Sequence, residues 1–277
     1  MTSAAAADQE MANELILVTQ VPLGDASVAA LLTLNRPDSR NPIDKVTIGL
    51  LKTILSDLID EGDVAAVILT GAGDAFSAGG DLKGYRNLYR NPASFQTFMQ
   101  DFDEVCRILE TAPFLTIAMI NGTCVAGGLE LSLACDFITI ADEARVGDGH
   151  LRFAQLPGAG GSQRLVRAIG VQRAKYWLYT ARLFPAAEAV AAGLAVFSAP
   201  VAELPERTLA LAAEVTELTP LGWRTMKQLV DVAQHTHLPE GLRIESRMVF
   251  EYATSSHDAS EGLKAFAERR PARYLGR

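Results

Sequence analysis

Twice along this chain an unbroken apolar run ends in a glycine-rich stretch that leads to a helical pattern. Residues 64–70 are followed by the segment from Gly71 to Gly84, and Leu115–Ile120 is followed by Asn121-Gly-Thr-Cys-Val-Ala-Gly-Gly128. A short continuous apolar run bounded by turn residues reads as a strand covered on both faces. Covered strands that alternate with helices imply an α/β fold with helices packed over a sheet. Around these two passages the rest falls into place. Residues 15–19 and 28–34 read as strands separated by Pro22, Gly24 and Asp25. Residues 44–60 read as a helix, with Leu50, Leu51, Ile54, Leu55, Leu58 and Ile59 at three-to-four spacing. Further helices are expected over 93–110 and 129–134, and a further strand over Phe137–Ala141.

The pattern changes near 204, after which only helical periodicity remains, interrupted at Pro220 and Pro239. The expected organisation is a loose tail over 1–12, an α/β core over 13–203 and a helical region over 204–277. A chain of 277 residues with 49 % hydrophobic content has ample material for such a core. Its net charge of −8 leaves no cationic surplus for neutralising phosphates along a nucleic acid. No apolar run approaches the ~20 residues of a membrane span. Cys106, Cys124 and Cys135 form no CxxC pair, so a reducing, cytoplasmic setting is expected. The start, MTSAAAADQEMANE, carries acids instead of a basic segment and does not read as a secretory signal.

The two glycine stretches are where chemistry is expected. After a buried strand and ahead of a helix, backbone N–H groups point outward without partners. Two such turns facing one point would form a two-donor oxyanion site. Neither turn matches GxGxxG, no GxxxxGK[ST] occurs, and Ser162 does not sit in a nucleophile elbow.

The flanks of these turns resemble the enoyl-CoA hydratase/isomerase (crotonase) superfamily. Leu34-Asn-Arg-Pro-Asp-Ser-Arg-Asn-Pro42 is similar to its opening motif, and Ala75-Phe-Ser-Ala-Gly-Gly-Asp-Leu-Lys83 to its F-[SC]-A-G-x-D-[LI] loop. Ile120-Asn-Gly-Thr-Cys-Val-Ala-Gly-Gly-Leu-Glu-Leu131 is similar to its glycine-rich N-G stretch ending in E-L. Cys135-Asp136, Leu156-Pro-Gly-Ala-Gly-Gly-Ser-Gln-Arg-Leu165 and Glu261-Gly-Leu-Lys-Ala-Phe-Ala-Glu-Arg-Arg270 follow in family order. The resemblance implies a spiral of β-β-α turns with C-terminal helices that build a homotrimer, or a homohexamer as a dimer of trimers. It implies an acyl-CoA thioester as substrate and no separate cofactor, coenzyme A being part of that substrate. By block matching, the thioester oxygen would be held by the amides of Gly80 and Gly127. Arg36, Arg40, Ala78, Gly80, Asp81, Leu82 and Lys83 would border the CoA groove, and residues 85–102 would wall the acyl pocket.

Hydratases of the family use two glutamates. The first matches Glu130, whose apolar neighbours should raise its pKa toward that of a useful base. The second position is His150, in Val146-Gly-Asp-Gly-His-Leu151. Histidine can also move protons near neutral pH, and Asp148 would share its side of an extended segment. The implied activity is enoyl-CoA hydration or isomerisation. The alternatives are a carbon–carbon bond hydrolase or lyase using His150, and a non-catalytic acyl-CoA binder. A diketone-hydrolase branch pairs such a histidine with an aspartate in the later P-G-D-G turn. Here Ala159 occupies that place, and Gly127–Gly128 are retained. His235 and His237 read as surface residues, Cys124 lacks a base that would make it a nucleophile, and Trp223 and Met226 read as core.

Overall fold

A computed structural model describes residues 15–24 and 27–277, apart from the side chain of Lys83. The tail expected over 1–12 lies outside the described residues. The contacts divide the chain into two compact units, Met1–Ala210 and Leu211–Arg277. The division falls inside a helix, beyond the change of pattern that the sequence marks near 204.

The first unit opens with a hairpin, β1 (Ile16–Leu23) and β2 (Ser27–Leu34), paired antiparallel from Ile16–Leu34 to Leu23–Ser27. Helix α1 (Lys45–Glu61) follows. Asp44 caps it by accepting from the Thr47 amide at 2.9 Å, and Gly62, with φ of 70°, ends it. Of the apolar stripe read from spacing, Leu51, Leu55 and Leu58 are buried while Leu50, Ile54 and Ile59 are half-buried; Ile48, which that reading left out, is fully buried.

From there the chain winds in β-β-α turns, the spiral implied by the resemblance. Strand β3 (Ala66–Gly71) leads into β4 (Ala75–Ser77) and then helices α2 (Leu82–Leu88) and α3 (Pro92–Thr111). Strand β5 (Leu115–Ile120) leads into β6 (Thr123–Val125) and α4 (Gly127–Leu133). Strand β7 (Phe137–Ala141) leads into β8 (Arg145–Gly147), a 3-10 turn at His150–Phe153, and helices α5 (Gly161–Ile169) and α6 (Val171–Thr180). Then come β9 (Phe184–Pro185), α7 (Ala186–Ala191) and β10 (Phe197–Ala199).

The first strand of each turn joins a six-stranded sheet in the order β1-β2-β3-β5-β7-β10, parallel from β2 onward. Every residue of β3 and β5 is buried, as expected of strands covered on both faces. The second strand of each turn joins a smaller sheet, β4-β6-β8-β9. Ser77 pairs with Cys124, and Cys124 with Val146, all parallel. Parallel neighbours end on the same side. The loops that leave β4, β6 and β8 therefore emerge next to one another.

Two details differ from the sequence reading. The stretch 71–84 is not one loop, because β4 and the start of α2 lie within it. The helix expected over 129–134 begins at Gly127, because Ala126 turns the chain sharply at φ 52° and ψ −116°. A three-residue strand is too short to show periodicity, so β4, β6 and β8 had no sequence signal of their own.

Helix α8 (Leu204–Thr216) spans the division between the units. The second unit continues with α9 (Pro220–His235), α10 (Leu238–Ser255) and α11 (His257–Glu268). Asp258 is buried and accepts from the Thr219 hydroxyl at 2.7 Å and from the amides of Leu275 and Gly276 at 2.7 and 2.9 Å. Those bonds tie the irregular C-terminal segment to α9 and α11. Met226 is not core, as its pattern suggested, but is 60 % exposed. It belongs to an apolar set that also includes Val230, Phe250, Leu263 and Phe266, all exposed. Helical periodicity identifies a face, but not whether this chain itself covers it.

Candidate active site

The loops after β4 and β6 meet. A Cβ placed on Gly79 would lie 2.9 Å from the Cβ of Ala126 and 3.0 Å from the carbonyl of Val125. With φ at 91°, Gly79 is also in the left-handed region. Only glycine allows this approach. The opening motif braces the first loop. Buried Asn41 donates to the carbonyls of Ala72 and Ala75 at 2.9 and 2.8 Å, the Ile43 amide donates to Gly79 at 2.9 Å, and the Ala78 amide donates to Arg40 at 2.9 Å. Gly80 forms a parallel bridge with Ile43. Gly127 is the first residue of α4, so its N–H has no partner within the helix. A Cβ on Gly128 would lie 2.9 Å from that of Ser77, so the first turn of α4 packs directly on the end of β4.

Glu130 lies one turn into α4 and is 3 % exposed. One oxygen, Oε1, accepts from the amides of Ala159 and Gly161 at 2.7 and 3.0 Å. Both donors sit in the turn Pro157-Gly-Ala-Gly-Gly161, where Gly160 takes φ of 92°. The Arg164 guanidinium holds that turn from behind. It donates to the Ala159 carbonyl at 2.9 Å and forms a two-point pair with Glu110 at 2.5 and 2.9 Å. The sequence comparison included this turn as a family block but assigned it no role. The signal for one was its glycine pair directly ahead of a helix. Burial raises the Glu130 carboxyl above the ordinary range, against the two amides and the His150 charge, which lower it.

The loop after β8 brings Asp148 and His150 to the same place. The segment is not extended as the sequence reading assumed. Gly149 turns it at φ 70°, and the turn folds the imidazole back onto the carboxylate. His150 Nδ1 lies 2.8 Å from Asp148 Oδ2, and the His150 amide donates to Asp148 Oδ1 at 3.2 Å. Asp148 is 1 % exposed. His150 Nε2 is 3.9 Å from Glu130 Oε2. Burial alone would lower the imidazole pKa. The hydrogen bond and charge of Asp148, with the charge of Glu130, raise it above its usual value.

Glu130 and His150 stand at the wall of a cavity of about 290 Å³. Its other wall is aromatic, with Tyr85 from α2, Tyr89 from the turn that follows it, and Phe95, Phe98 and Phe102 from α3. The expected pocket segment 85–102 therefore does line a cavity, although nothing in its sequence marked the individual rings. Tyr85 packs so closely on Gly80 that a Cβ there would lie 2.2 Å from its hydroxyl. Burial, then the negative charge of Glu130, pushes the Tyr85 phenol far above its usual range, so it stays protonated.

The remaining expected groove residues surround the first loop. Arg36 is paired with Asp44. Arg40 and Ala78 are exposed, Asp81 is half-buried, and Leu82 is 47 % exposed at the start of α2. The side chain of Lys83 lies outside the described residues. Cys124 is buried, and burial pushes its thiol to about 12, so it is no nucleophile. His235 and His237 are exposed. Among the described residues no group of three or more His, Cys, Asp or Glu side chains could hold a metal ion, and no helix is long and apolar enough to cross a membrane.

The model of the enoyl-CoA hydratase/isomerase family matches residues 24–277. A Mycobacterium bovis protein named "Probable enoyl-CoA hydratase" is 35 % identical over 247 residues, which are 89 % of this chain and 94 % of that one. The crystal structure of an enoyl-CoA hydratase from Bacillus anthracis superposes with a TM-score of 0.86 at 35 % identity, covering 94 % of this chain and 99 % of the other. A second enoyl-CoA hydratase structure, from Geobacillus kaustophilus, gives a TM-score of 0.86 at 30 % identity, covering 95 % and 100 %.

Proposed function

This chain belongs to the enoyl-CoA hydratase/isomerase family, and from that premise we propose that it adds water across the double bond of a 2-enoyl-CoA. The observation that carries the reading is the division of labour within Glu130. Oε1 is held by two backbone amides, while Oε2 remains directed at the His150 imidazole beside the cavity.

In this reading the thioester oxygen sits between the two glycine turns and accepts from the amides of Gly80 and Gly127. Each such donor is worth about 2.7–4 kcal/mol of transition-state stabilisation. Glu130 Oε2 takes a proton from water as its oxygen bonds to the β-carbon. The π electrons move toward the thioester as an enolate, and protonated His150 delivers a proton to the α-carbon. One proton leaves water and one reaches carbon, so the active pair must exchange a proton before the next turnover. The raised His150 pKa supports its role as the acid near neutral pH. Asp148 orients the ring and supports its charge. The reaction so drawn calls for neither metal nor redox cofactor; coenzyme A enters as part of the substrate. Arg36, Arg40, Ala78, Asp81, Leu82 and Lys83 are proposed to border the CoA moiety.

Isomerisation of a 3-enoyl-CoA is the second reading, because one carboxylate can remove a proton and return it two carbons away. Cleavage of a carbon–carbon bond has less support. The turn that would hold its aspartate carries Ala159, whose amide is engaged with Glu130. The helical unit is proposed to assemble the chain as a trimer or dimer of trimers, supported by Phe266 at 86 % and Leu263 at 76 % exposure.

The test is a substrate panel of 2-enoyl-CoA, 3-enoyl-CoA and a cyclic 1,3-diketone, with saturated acyl-CoA binding measured by calorimetry. Hydration of the first is expected. Cleavage of the diketone with no acyl-CoA binding at millimolar concentration would refute the proposal.

A further inference from the structure

The walls of the cavity state which acyl group it accommodates, given the acyl-CoA reading on which this inference rests. Its rings form one continuous series. Phe102, 2 % exposed, lies against Gly127, where a Cβ would be 3.5 Å from the Phe102 ring edge. Phe102 contacts Phe98 at 6.0 Å between centroids, and Phe98 contacts Tyr85 at 5.9 Å. Tyr85 stacks on Tyr89 at 5.9 Å, and Tyr89 meets Phe95 edge-on at 5.0 Å. The series begins at the glycine turn and runs out to Tyr89, which is 44 % exposed, with Phe95 set edge-on against it. At that outer end the Tyr89 hydroxyl hydrogen-bonds Gln155 Oε1 across the cavity. The Gln155 amide group is itself held, donating to the Phe153 carbonyl at 3.1 Å.

We propose that this pocket selects a short, flat acyl group ending in an aromatic ring, and that the Tyr89–Gln155 bridge closes it against long alkyl chains. Three observations support this. Aromatic rings in offset or edge-on contact attract one another beyond their buried area, and the pocket offers several rings to a guest ring. A ring enters with few rotatable bonds to freeze, whereas each bond of an alkyl chain costs entropy on ordering. At about 290 Å³ the cavity is at the small end of ligand sites, which run to roughly 1,000 Å³. A chain much longer than one ring would have to part Tyr89 from Gln155.

Calorimetry with 3-phenylpropanoyl-CoA and octanoyl-CoA tests the proposal without requiring turnover. The wild-type chain should bind the aryl ligand about tenfold more tightly than the alkyl ligand. Tyr89→Phe keeps the ring and removes the bridge, so it should retain aryl affinity and bind octanoyl-CoA more tightly than wild type. Tyr89→Ala should reduce the aryl preference to about threefold or less. Equal binding of both ligands to wild type, or a preference unchanged in both variants, overturns this proposal while leaving the acyl-CoA reading intact. Failure of both ligands to bind at millimolar concentration overturns both. Tyr89 is partly exposed, and matched melting curves would show that the variants fold.

Discussion

His150 Nε2 and Glu130 Oε2 lie 3.9 Å apart, beyond hydrogen-bonding distance but close enough for each to feel the other's charge. Each is anchored on its other side, the imidazole by Asp148 and the carboxylate by the Ala159 and Gly161 amides. Among the described residues neither of these two atoms has a hydrogen-bond partner, so either can engage a third molecule without first breaking such a bond.

Glu130→Gln preserves shape and both amide bonds to Oε1 but cannot take a proton. Turnover should fall by about 10²–10⁴ with saturated acyl-CoA affinity little changed. Stability should move the other way. The folded-state pKa of Glu130 is raised. Its contribution is therefore fully present below pH ~4.5 and is lost as pH rises through the raised value. The glutamine variant lacks that loss and should melt higher than wild type at neutral pH. A kcat above about half of wild type would show that Glu130 is structural.

Asp148→Asn removes the larger of the two partners that raise the His150 pKa, leaving burial to lower it against the charge of Glu130 alone. A histidine with a raised folded pKa adds stability below pH ~6.5 and loses it as pH rises through the raised value. Wild type should show that decline in melting temperature above pH ~6.5, and the variant should show less of it. The upper inflection of kcat/KM should shift to lower pH in the variant. An unchanged pH profile would remove His150 from the proton path.

Arg164→Ala leaves the Ala159 carbonyl with only the weak Cys106 thiol donor at 3.9 Å and leaves Glu110 without its guanidinium partner. Loss of charged hydrogen bonds should cost about 1.5–3 kcal/mol of stability, visible in denaturant titration. Because the same turn supplies both amides to Glu130, kcat should fall more than KM rises. A stability loss with unchanged kcat would mean the turn holds its shape without this clamp.

Gly128→Ala places a methyl group 2.9 Å from the Ser77 Cβ and 3.0 Å from the Ser77 carbonyl. Both neighbours belong to the buried end of β4, which cannot move cheaply, so a loss of about 1–3 kcal/mol is expected. Gly49, with nothing within 4 Å of an added Cβ and set inside α1, serves as the control. Gly49→Ala should stabilise slightly.

The large features of this fold are legible because they repeat. Apolar runs marked β3 and β5, and apolar spacing marked α1. The candidate residues Gly80, Gly127, Glu130 and His150 were legible through their neighbours in sequence. What was not legible arises from contacts between distant segments. The three-residue strands β4, β6 and β8 become strands by pairing in parallel. The Ala159 and Gly161 amides carry no side-chain signature for their bond to Glu130. The ladder from Phe102 to Tyr89 depends on how α2 packs on α3.

The bonds that hold this site also constrain how it can be acquired during folding. Asn41 reaches carbonyls 31 and 34 residues ahead, and Glu130 takes its amides from 29 and 31 residues ahead. Neither set is local, and each closes a loop whose entropy is lost before the contact returns anything. A ribosome that has exposed the chain only as far as α4 presents a carboxylate with no amides to receive it. The Glu130 carboxylate therefore gains its amide partners only after the turn before α5 has been made.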